Sequence, residues 1–432
     1  MKIRTLLVLS LLMFGGLYAQ EKVEPLDSLI VKAIQVSPKI AMLKSKRNAA
    51  KARIEIGTNL PDPVLTLGLV NMPTNSFSFS QEPMTGKVIG LSQAFPFPGG
   101  LKAASEVKAV DTLIVQEELE DQKNKIREEV SKLYYDLRFY RKVIKLSEES
   151  EELLNKISEV VRRKFEVSKA SLQNVIQVEV EITRVKDKIE NLKGKKEAAL
   201  AELNALLLRD EKSPIATDNI EKVANTHYST KKLLDIASAY RPFLKGIKFA
   251  EQKSVNMKLQ ADYSFWPNFK LGVQYNQRDY SSASGQNWSD LFSVLLGVSL
   301  PINYGGNKSA KINEAEHLQT LYKEQYSSSL QSLSRSFGKI NAKLKELRER
   351  EKLIAGTLLP QADDALEAAM ADYQVGKIDF VNVIKAEDQI LKIKTDLAKI
   401  RTEYSKDIAQ LEFLIGAKIT LNNNDKVNGE IR

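Results

Sequence analysis

The sequence predicts a mainly α-helical chain that is duplicated internally and carries two hairpins of amphipathic strands, one in each half. Three observations predict this class. Residues 101–193 contain neither glycine nor proline, and apolar residues recur there at spacings of three and four. Two pairs of short segments alternate apolar and polar residues, which is the period of a strand. A unit of about two hundred residues occurs twice along the chain.

The duplication is visible in four pairs of similar segments, which follow one another in the same order in both halves. Pro38 and Pro242 are 204 positions apart, and Phe165 and Tyr373 are 208 positions apart. The paired segments are 37–40 with 241–244, 63–68 with 267–272, 93–100 with 298–306, and 165–169 with 373–377. One such pair can arise by chance, but four at a nearly constant offset indicate an internal repeat.

Each half predicts the same succession of elements: a helix, a strand, a loop, a strand, a very long helix, a turn and another long helix. The predicted strands are 64–71, 86–95, 268–277 and 291–300. In the third strand every second residue from Phe269 to Tyr275 is apolar, and the residues between them are polar or glycine. One face of this strand is therefore predicted to be apolar and the other polar.

Apolar residues in the long helical segments recur with the heptad spacing of a coiled coil. In the return segment of the first repeat they are Val175, Val178, Ile182, Val185, Ile189 and Leu192. The helix from Gly100 to Arg163 would be about 95 Å long at 1.5 Å per residue. An ordinary helical bundle is the alternative, but few compact domains accommodate a helix of that length. Pro360 lies within the second long helix and predicts a kink there.

The composition argues against an enzyme. The chain has 432 residues, no cysteine and two histidines, which disfavours thiolate chemistry, a catalytic triad and a histidine-rich metal site. Phosphate-binding glycine loops and zinc-protease motifs are absent, so we expect no catalytic residue, no metal and no cofactor. The 64 lysines and arginines exceed the 55 aspartates and glutamates. Because these charges are interspersed, they predict solvated helix faces and no nucleic-acid partner.

The first nineteen residues have the features of a secretory signal peptide. Lys2 and Arg4 precede an apolar run, and Ala19 ends a small-residue cleavage site. No later apolar run reaches eighteen residues, so no transmembrane helix is predicted. The predicted organisation is a signal peptide at 1–19, a first repeat at 20–208, an equatorial segment between the repeats at 209–230, a second repeat at 231–416 and a polar C-terminal tail at 417–432.

The predicted strands have a length that can cross a bilayer. Strands of about ten residues span a membrane when tilted, but an open sheet edge cannot face lipid. Three copies would supply twelve strands, so the simplest solution is a trimeric β-barrel in the membrane. Trp266 and Trp288 fall at opposite ends of the second hairpin, where membrane-interface aromatic residues occur. Two tryptophans in a soluble core are the alternative.

Five motifs carry a resemblance to a known family. They are Leu-Pro-Asp-Pro at 60–63, Gln-Glu-Pro-Met at 81–84, Gln-Ala-Phe-Pro-Phe-Pro-Gly at 93–99, Leu-Pro-Gln-Ala at 359–362 and Tyr-Gln-Val-Gly-Lys-Ile-Asp-Phe at 373–380. With them the chain resembles the TolC family of outer-membrane efflux channels over nearly its whole mature length. The first three motifs are most similar to the heavy-metal cation branch, the CusC/CzcC-type channels.

The resemblance implies a homotrimer in the outer membrane of a Gram-negative bacterium. A twelve-stranded barrel, surrounded by outer-membrane lipid, would continue into the periplasm as a tunnel of twelve helices. Each protomer would give four strands and two helical hairpins. The closed end would dock on a periplasmic adaptor (membrane fusion) protein and an inner-membrane pump of the resistance-nodulation-division (RND) type. The implied function is the passive exit duct of this tripartite efflux system, with heavy-metal cations as cargo.

The resemblance also implies that the periplasmic tip, where the helices turn, forms the gate. The predicted tip and gate residues are Phe165, Ser168, Asn174, Tyr373, Gly376, Asn382 and Lys385. In the family this turn has an aromatic residue and a glycine, followed by an aspartate that constricts the pore. Tyr373 and Gly376 match that pattern, whereas Asn382 and its counterpart Asn174 stand at the aspartate position. Rings of asparagine can hydrogen-bond the turns shut without an acidic ring.

The strand-to-helix corners are predicted to be structural. Their residues are Pro96, Pro98, Gly99, Gly100, Pro301, Gly305 and Gly306. Proline ends the strand ladder and glycine permits a sharp turn, so no binding role is expected there.

Three functional alternatives stay open. Within the channel class, multidrug efflux and type I protein secretion are possible because one duct can serve several pumps. A periplasmic coiled-coil adaptor is the third alternative. Adaptors typically show one helical hairpin between β-rich domains, whereas this sequence predicts two hairpins and a duplication.

Overall fold

The computed structural model describes residues 23–224 and 228–419. The predicted signal peptide at 1–19 lies outside the described residues. So do residues 225–227 of the predicted equatorial segment and residues 420–432 of the predicted tail.

The same order of elements occurs twice along the described chain. The first series is α1 (Leu26–Val36), α2 (Pro38–Thr58), β1 (Val64–Val70), β2 (Gly86–Phe95), α3 (Gly100–Glu166) and α4 (Leu172–Leu206). The second is α5 (Thr230–Tyr240), α6 (Pro242–Tyr263), β3 (Phe269–Gln277), β4 (Leu291–Val298), a 3₁₀ turn (Tyr304–Gly306), α7 (Asn307–Leu353), a π-helical segment (Ile354–Leu358), α8 (Leu359–Gln374) and α9 (Phe380–Ile415). The prediction of a mainly helical chain with two strand hairpins is confirmed.

Serine side chains begin three of the helices. The hydroxyls of Ser37, Ser171 and Ser229 accept hydrogen bonds from backbone N–H groups three residues further on, at 3.4, 3.3 and 3.2 Å. These bonds satisfy donors that have no partner within the helix. Among the described helices, none combines the length and the apolarity needed to cross a membrane.

The chain divides into two compact units, each built from both repeats. The first, which we call the helical unit, takes the residues up to Val36, Glu129–Ala224 and Glu346–Lys406. The second, the strand-bearing unit, contains Ser37–Glu128 together with the described residues 228–345 and 407–419.

The core of the helical unit confirms the predicted heptad seam. Val178, Ile182, Val185 and Ile189 of α4 are buried in one cluster. That cluster also contains Leu154, Ile157 and Val161 of α3 together with Tyr373, Phe380, Val383 and Ile384 of the second repeat. Apolar side chains from both repeats thus share one core, and removing this area from water is the main force that holds the hairpins together.

Four antiparallel strands form one sheet in the order β1-β2-β3-β4 within the strand-bearing unit. The two repeats meet at the β2–β3 pair, where Phe95 lies opposite Phe269 and Lys87 lies opposite Gln277. The strand bounds agree with the predicted ones to within two residues.

The sheet has one mainly apolar face and a second face, here called the polar face, on which polar residues and glycines together outnumber apolar residues. Partners across the ladders share a face, so the rows Leu65–Leu91–Val273–Val294 and Leu67–Ile89–Tyr275–Phe292 lie on one side. The rows Thr66–Gly90–Gln274–Ser293 and Val64–Ser92–Gly272–Leu295 lie on the other. The side chains of the first face are exposed although most of them are apolar.

The second long helix does not run regularly through Pro360. Five residues, Ile354–Leu358, are π-helical, and Pro360 lies in the first turn of α8 directly after them. Proline has no N–H to donate, and its ring crowds the carbonyl four residues earlier. The irregularity predicted at this proline therefore takes the form of a π-helical segment.

Candidate functional site

Two turns of the helical unit occupy equivalent positions in the two repeats. The first, at 167–171, joins α3 to α4, and the second, at 375–379, joins α8 to α9. We call them the paired turns because they share surface. One shallow depression is lined by Ser168 and Asn174 from the first repeat and by Asp379 from the second. The structure thus places Ser168 and Asn174, two predicted gate residues of the first repeat, beside Asp379 of the second repeat, which was not among the predicted gate residues.

Each turn passes through the left-handed backbone region at the same position. The φ angle is 56° at Ser168 and 80° at Gly376. In each turn this residue donates a backbone hydrogen bond to the aromatic residue three positions earlier, from Ser168 to Phe165 at 2.9 Å and from Gly376 to Tyr373 at 3.1 Å. Glycine adopts this conformation readily, whereas serine does so at a cost.

This difference predicts unequal responses to alanine. Gly376→Ala should destabilise the second turn by about 1–2 kcal/mol, because it adds a Cβ at positive φ. No atom of the described residues lies within 4 Å of the site of that Cβ, so the effect isolates backbone strain. Hydrogen exchange at the amide of Lys377 measures it. Ser168→Ala, with exchange at Lys169, is the matched control and should change little, since serine already carries a Cβ. Equal effects would contradict this explanation.

Lys164 ties the first repeat to the second and was not among the predicted site residues. Its Nζ donates to the carbonyl oxygens of Tyr373 at 2.7 Å and Gln374 at 3.4 Å. It also lies 4.0 Å from the centroid of the Tyr373 ring. A cation at the carboxyl end of a helix is favoured by the helix dipole, and here it also satisfies terminal carbonyls of α8. One difference between the repeats was visible in the sequence: the position equivalent to Lys164 holds Asp372 in the second repeat, so the lysine occurs in the first repeat alone.

The two equivalent aromatic residues have different surroundings. Tyr373 is buried, and its ring lies 5.4 Å from that of Phe380, which is fully buried. Burial raises the pKa of the Tyr373 hydroxyl, and the charge of Asp379 adds to the shift. Phe165, in contrast, is 42% exposed. The duplication therefore does not extend to the environment of the paired turns.

The two asparagines lie in the first turns of α4 and α9. The backbone N–H of Asn174 donates to the Ser171 hydroxyl, and that of Asn382 donates to the carbonyl of Asp379 at 3.1 Å. Asn174 is half-buried, and Asn382 and Lys385 are exposed. Their side chains are available for contacts beyond the described chain.

Two glutamates five residues after these asparagines differ sharply. Glu179 accepts hydrogen bonds from Arg162 at 2.7 Å and Ser158 at 3.2 Å, and the bond from Arg162 lowers its pKa. Its equivalent Glu387 is buried, and burial raises its pKa against the opposing effect of the Ser150 hydroxyl. Glu179 is thus neutralised by a cation and Glu387 is enclosed by protein, so neither supplies a free negative charge to the paired turns.

Because the pKa of Glu387 is raised and that of Glu179 is lowered, the two residues should change the stability of the fold with pH in opposite directions. Since the folded state favours protonated Glu387, its stabilising contribution is full below the ordinary pKa of glutamate and is lost as the pH rises through the raised value. Glu387→Gln should therefore slow hydrogen exchange in α9 at pH 7 and flatten its pH dependence. Glu179 contributes above its ordinary pKa and loses this contribution as the pH falls through the lowered value, so Glu179→Gln should not stabilise at pH 7. An unchanged pH profile in Glu387→Gln would contradict the assignment.

The predicted corner residues lie in the strand-bearing unit, apart from the paired turns. At the first corner Gly99 has a φ of 95°, Gly100 begins α3, and the Phe97 ring between Pro96 and Pro98 stacks on Trp266 at 4.8 Å. The second corner, from Pro301 to Gly306, is more open: in the part of the chain that the structure describes, no atom lies within 4 Å of where Gly305 or Gly306 would carry a Cβ.

The two tryptophans precede antiparallel strands and so mark opposite ends of the second hairpin. Trp266 comes before β3, and Trp288 comes before β4, which runs in the opposite direction. Trp266 is 54% exposed and Trp288 is half-buried.

No group of three or more histidine, aspartate or glutamate side chains in the described residues is placed to hold a metal ion. At the paired turns the described residues offer amides, hydroxyls, aromatic rings, the Asp379 carboxylate and the ammonium groups of Lys164, Lys169 and Lys377. Such a surface can form hydrogen bonds and constrict a passage.

Comparison with known proteins identifies the family. The family described as outer membrane efflux protein matches residues 29–207 and again residues 237–417. TolC of Vibrio cholerae is 23% identical over 272 residues, which are 60% of this chain and 60% of that protein. TolC of Escherichia coli is 28% identical over 158 residues, 36% of this chain and 29% of that protein. The chain thus spans less than two thirds of these relatives.

Solved structures share the fold over a larger part of the chain. The outer membrane protein VceC of Vibrio cholerae has a TM-score of 0.74 at 17% identity, covering 91% of this chain and 96% of VceC. CusC has a TM-score of 0.73 at 18% identity, covering 90% of this chain and 92% of CusC. The Campylobacter jejuni CmeC outer membrane channel has a TM-score of 0.70 at 16% identity, covering 93% and 90%.

The duplicated fold and the two segments that match the family model identify the class of this chain as outer-membrane efflux proteins. The chain belongs to the outer membrane efflux protein family. Membership places it in the outer membrane of Gram-negative bacteria, with a part that extends into the periplasm. It also confirms that the chain is not an enzyme, because this is a family of efflux proteins. CusC scores close to VceC and CmeC, so the structural likeness does not single out the heavy-metal branch.

Proposed function

We propose that the chain is one protomer of a homotrimeric exit duct through which cargo passes without chemical change. The sheet carries the proposal. On its apolar face Leu67, Phe292 and Leu296 are 69%, 68% and 70% exposed. Such a face is costly in water and favourable against lipid, while the polar face suits a water-filled lumen.

The edges of the sheet support closure by further copies of the chain. Within the described residues β1 and β4 each pair on one side only. Unpaired N–H and C=O groups cost several kcal/mol each in lipid, so an open edge would not be stable there. If β1 of one copy pairs with β4 of the next, three copies close a barrel of twelve strands, and their helical hairpins form a tunnel of twelve helices.

The proposed arrangement gives the remaining residues their roles. Trp266 and Trp288 would lie at the two membrane interfaces, and outer-membrane lipid would surround the strands. The paired turns would form the periplasmic gate and dock on an adaptor protein and an RND-type inner-membrane pump. The division into repeats at 20–208 and 231–416 stays a prediction, which the two family matches at 29–207 and 237–417 support.

Fractionation and gel mobility test the duct. The full-length protein should sediment with outer membranes and run as a trimer on gels when unheated and as a monomer after boiling. A soluble, monomeric periplasmic protein would overturn the proposal and favour the adaptor alternative.

The cargo is proposed from sequence motifs. Heavy-metal cations follow from the similarity of 60–63, 81–84 and 93–99 to the metal-efflux branch, with multidrug efflux and type I protein secretion as alternatives. A deletion strain should be grown on Cu, Ag, Zn, Co, Cd and Ni salts beside common drugs and bile salts. Sensitivity confined to metals, restored by the wild-type gene, would support metal export. Sensitivity to drugs and bile salts would discard it and leave the duct intact.

The asparagines of the paired turns give a prediction about the gate. Replacing both Asn174 and Asn382 with aspartate would place six carboxylates near the proposed constriction of a trimer. The cation selectivity of reconstituted trimers should increase, because rings of charged side chains tune selectivity in a pore. Reversal potentials in a salt gradient measure the change, and each single variant should give an intermediate value. Unchanged selectivity in the double variant would mean that these positions do not line the constriction.

A further inference from the structure

The polar face of the sheet carries one formal charge. Its residues, read from the strand register, are Val64, Thr66, Gly68, Val70, Gly86, Val88, Gly90, Ser92, Ala94, Lys270, Gly272, Gln274, Asn276, Leu291, Ser293, Leu295 and Gly297. Among them only Lys270 has a formally charged side chain, and no aspartate or glutamate of the four strands lies on this face.

Within the sheet, Lys270 has no acidic residue directly across either ladder. Its neighbours directly across the ladders are Ala94 on β2 and Gly297 on β4. A methyl group on Gly297 would lie 3.5 Å from the Lys270 Cβ, so the glycine leaves the space beside this lysine open. Lys270 is exposed, and no described residue forms an ion pair with it. No carboxylate of the described residues therefore neutralises the Lys270 ammonium by direct contact.

We propose that Lys270 sets the charge selectivity of the strand-lined part of the pore and makes it favour anions. This inference rests on the proposed trimeric duct, in which the polar face lines the lumen. Three copies then place three ammonium groups at one level, near the start of β3. Rings of lysine are how pores select anions, since the ring attracts anions and repels cations at close range.

The inference narrows the class of cargo. A free divalent metal cation would meet a repulsive ring, whereas an amphiphile with a carboxylate, sulfonate or phosphate group would meet an attractive one. Exported metal would pass this level most easily as a neutral or anionic complex.

The chain allows a clean test because it has no cysteine, so an introduced cysteine is unique. Ser92→Cys places a thiol on the polar face one row away from Lys270, about 7 Å along the strand direction. Leu271→Cys places a thiol on the apolar face. The full-length variants, in outer-membrane vesicles in 0.1 M salt, are treated with two membrane-impermeant methanethiosulfonate reagents, the anionic ethylsulfonate and the cationic ethyltrimethylammonium. Rates are divided by those for free cysteine.

At Ser92→Cys the anionic reagent should react faster than the cationic one by about threefold or more, since the Debye length in this salt is about 10 Å. Adding Lys270→Gln should remove the preference, and Lys270→Glu should reverse it. Lys87→Gln is the matched control, because Lys87 lies on the apolar face beside Asp279, and should leave the preference unchanged.

The outcomes separate this inference from the proposed function. If Ser92→Cys reacts, Leu271→Cys does not, and Lys270→Gln leaves the rate ratio unchanged, the duct stands and the role of Lys270 is overturned. If Leu271→Cys reacts as fast as Ser92→Cys, the apolar face is not covered by lipid, and both the duct and the inference fail.

Discussion

Lys164→Met is expected to loosen the paired turns. The substitution keeps an apolar chain beside the Tyr373 ring but removes the ammonium that binds the carbonyl oxygens of Tyr373 and Gln374. A hydrogen bond with a charged partner contributes about 1.5–3 kcal/mol. Amide exchange in residues 374–379 should therefore accelerate by about tenfold or more, since about 1.4 kcal/mol is a factor of ten. If the proposed trimeric duct forms and the paired turns are its gate, the reconstituted variant should also show higher conductance.

Arg163→Met is the control for this prediction. Arg163 is the preceding residue in α3, but its side chain is 80% exposed and its partner Glu159 is 3.9 Å away. Exposed pairs of this kind contribute little, so exchange in the second turn should stay as in the wild type. Similar acceleration in both variants would show that general helix weakening, and not the tie from Lys164 to α8, controls the turn.

Asp218→Ala is expected to release the segment that follows α4 from the helical unit. Arg138 is 5% exposed, and its Nη1 donates to Asp218 Oδ1 and to the carbonyl of Asn219, both at 3.2 Å. The Tyr134 hydroxyl donates to the same Asp218 oxygen and accepts from the Asp218 backbone N–H, both at 3.1 Å. Without the carboxylate, a buried guanidinium loses its charged partner, at a cost of about 2 kcal/mol.

Limited trypsin digestion measures this release, because Lys212 and Lys222 flank the attachment. Cleavage at both lysines should be faster in Asp218→Ala than in the wild type. Glu221→Ala, an exposed acidic residue in the same segment, should leave the rate unchanged. A rate in Asp218→Ala equal to that of Glu221→Ala would indicate that the segment is held by its other contacts.

The elements were predictable because their patterns are long and local. The heptad seam of α4 needs only the spacing of apolar residues, and every predicted seam position from Val178 to Leu192 is buried. The strands were predicted from the alternation of apolar and polar residues, and the register of β2 with β3 then places Ile89, Leu91, Val273 and Tyr275 on one face. The π-helical form of the break at Ile354–Leu358 was not predictable, because it depends on how surrounding packing accommodates the missing hydrogen bond.

The site was predictable only where the two repeats match. Gly376 was recognised as a turn residue, and Ser168 takes a left-handed φ although serine does not favour it. Lys164 was missed because a lysine in the last turn of a helix has the same pattern as a solvated one. Its role depends on the carbonyls of Tyr373 and Gln374, which lie more than two hundred positions away. The contrast between Glu179 and Glu387 has the same origin, since burial is set by packing and not by the repeat.

The interrupted helix of the second repeat should make that repeat less stiff than the first. α3 runs for 67 residues without a break, whereas its counterpart contains the π-helical residues Ile354–Leu358 and then Pro360. Fewer regular hydrogen bonds resist bending at such a point, so the helix bends there most easily. A pull on the second turn should be absorbed as a hinge motion close to Ile354–Leu358, while the same pull on the first turn should be carried along α3. A protein that binds both of the paired turns would therefore displace one turn further than the other.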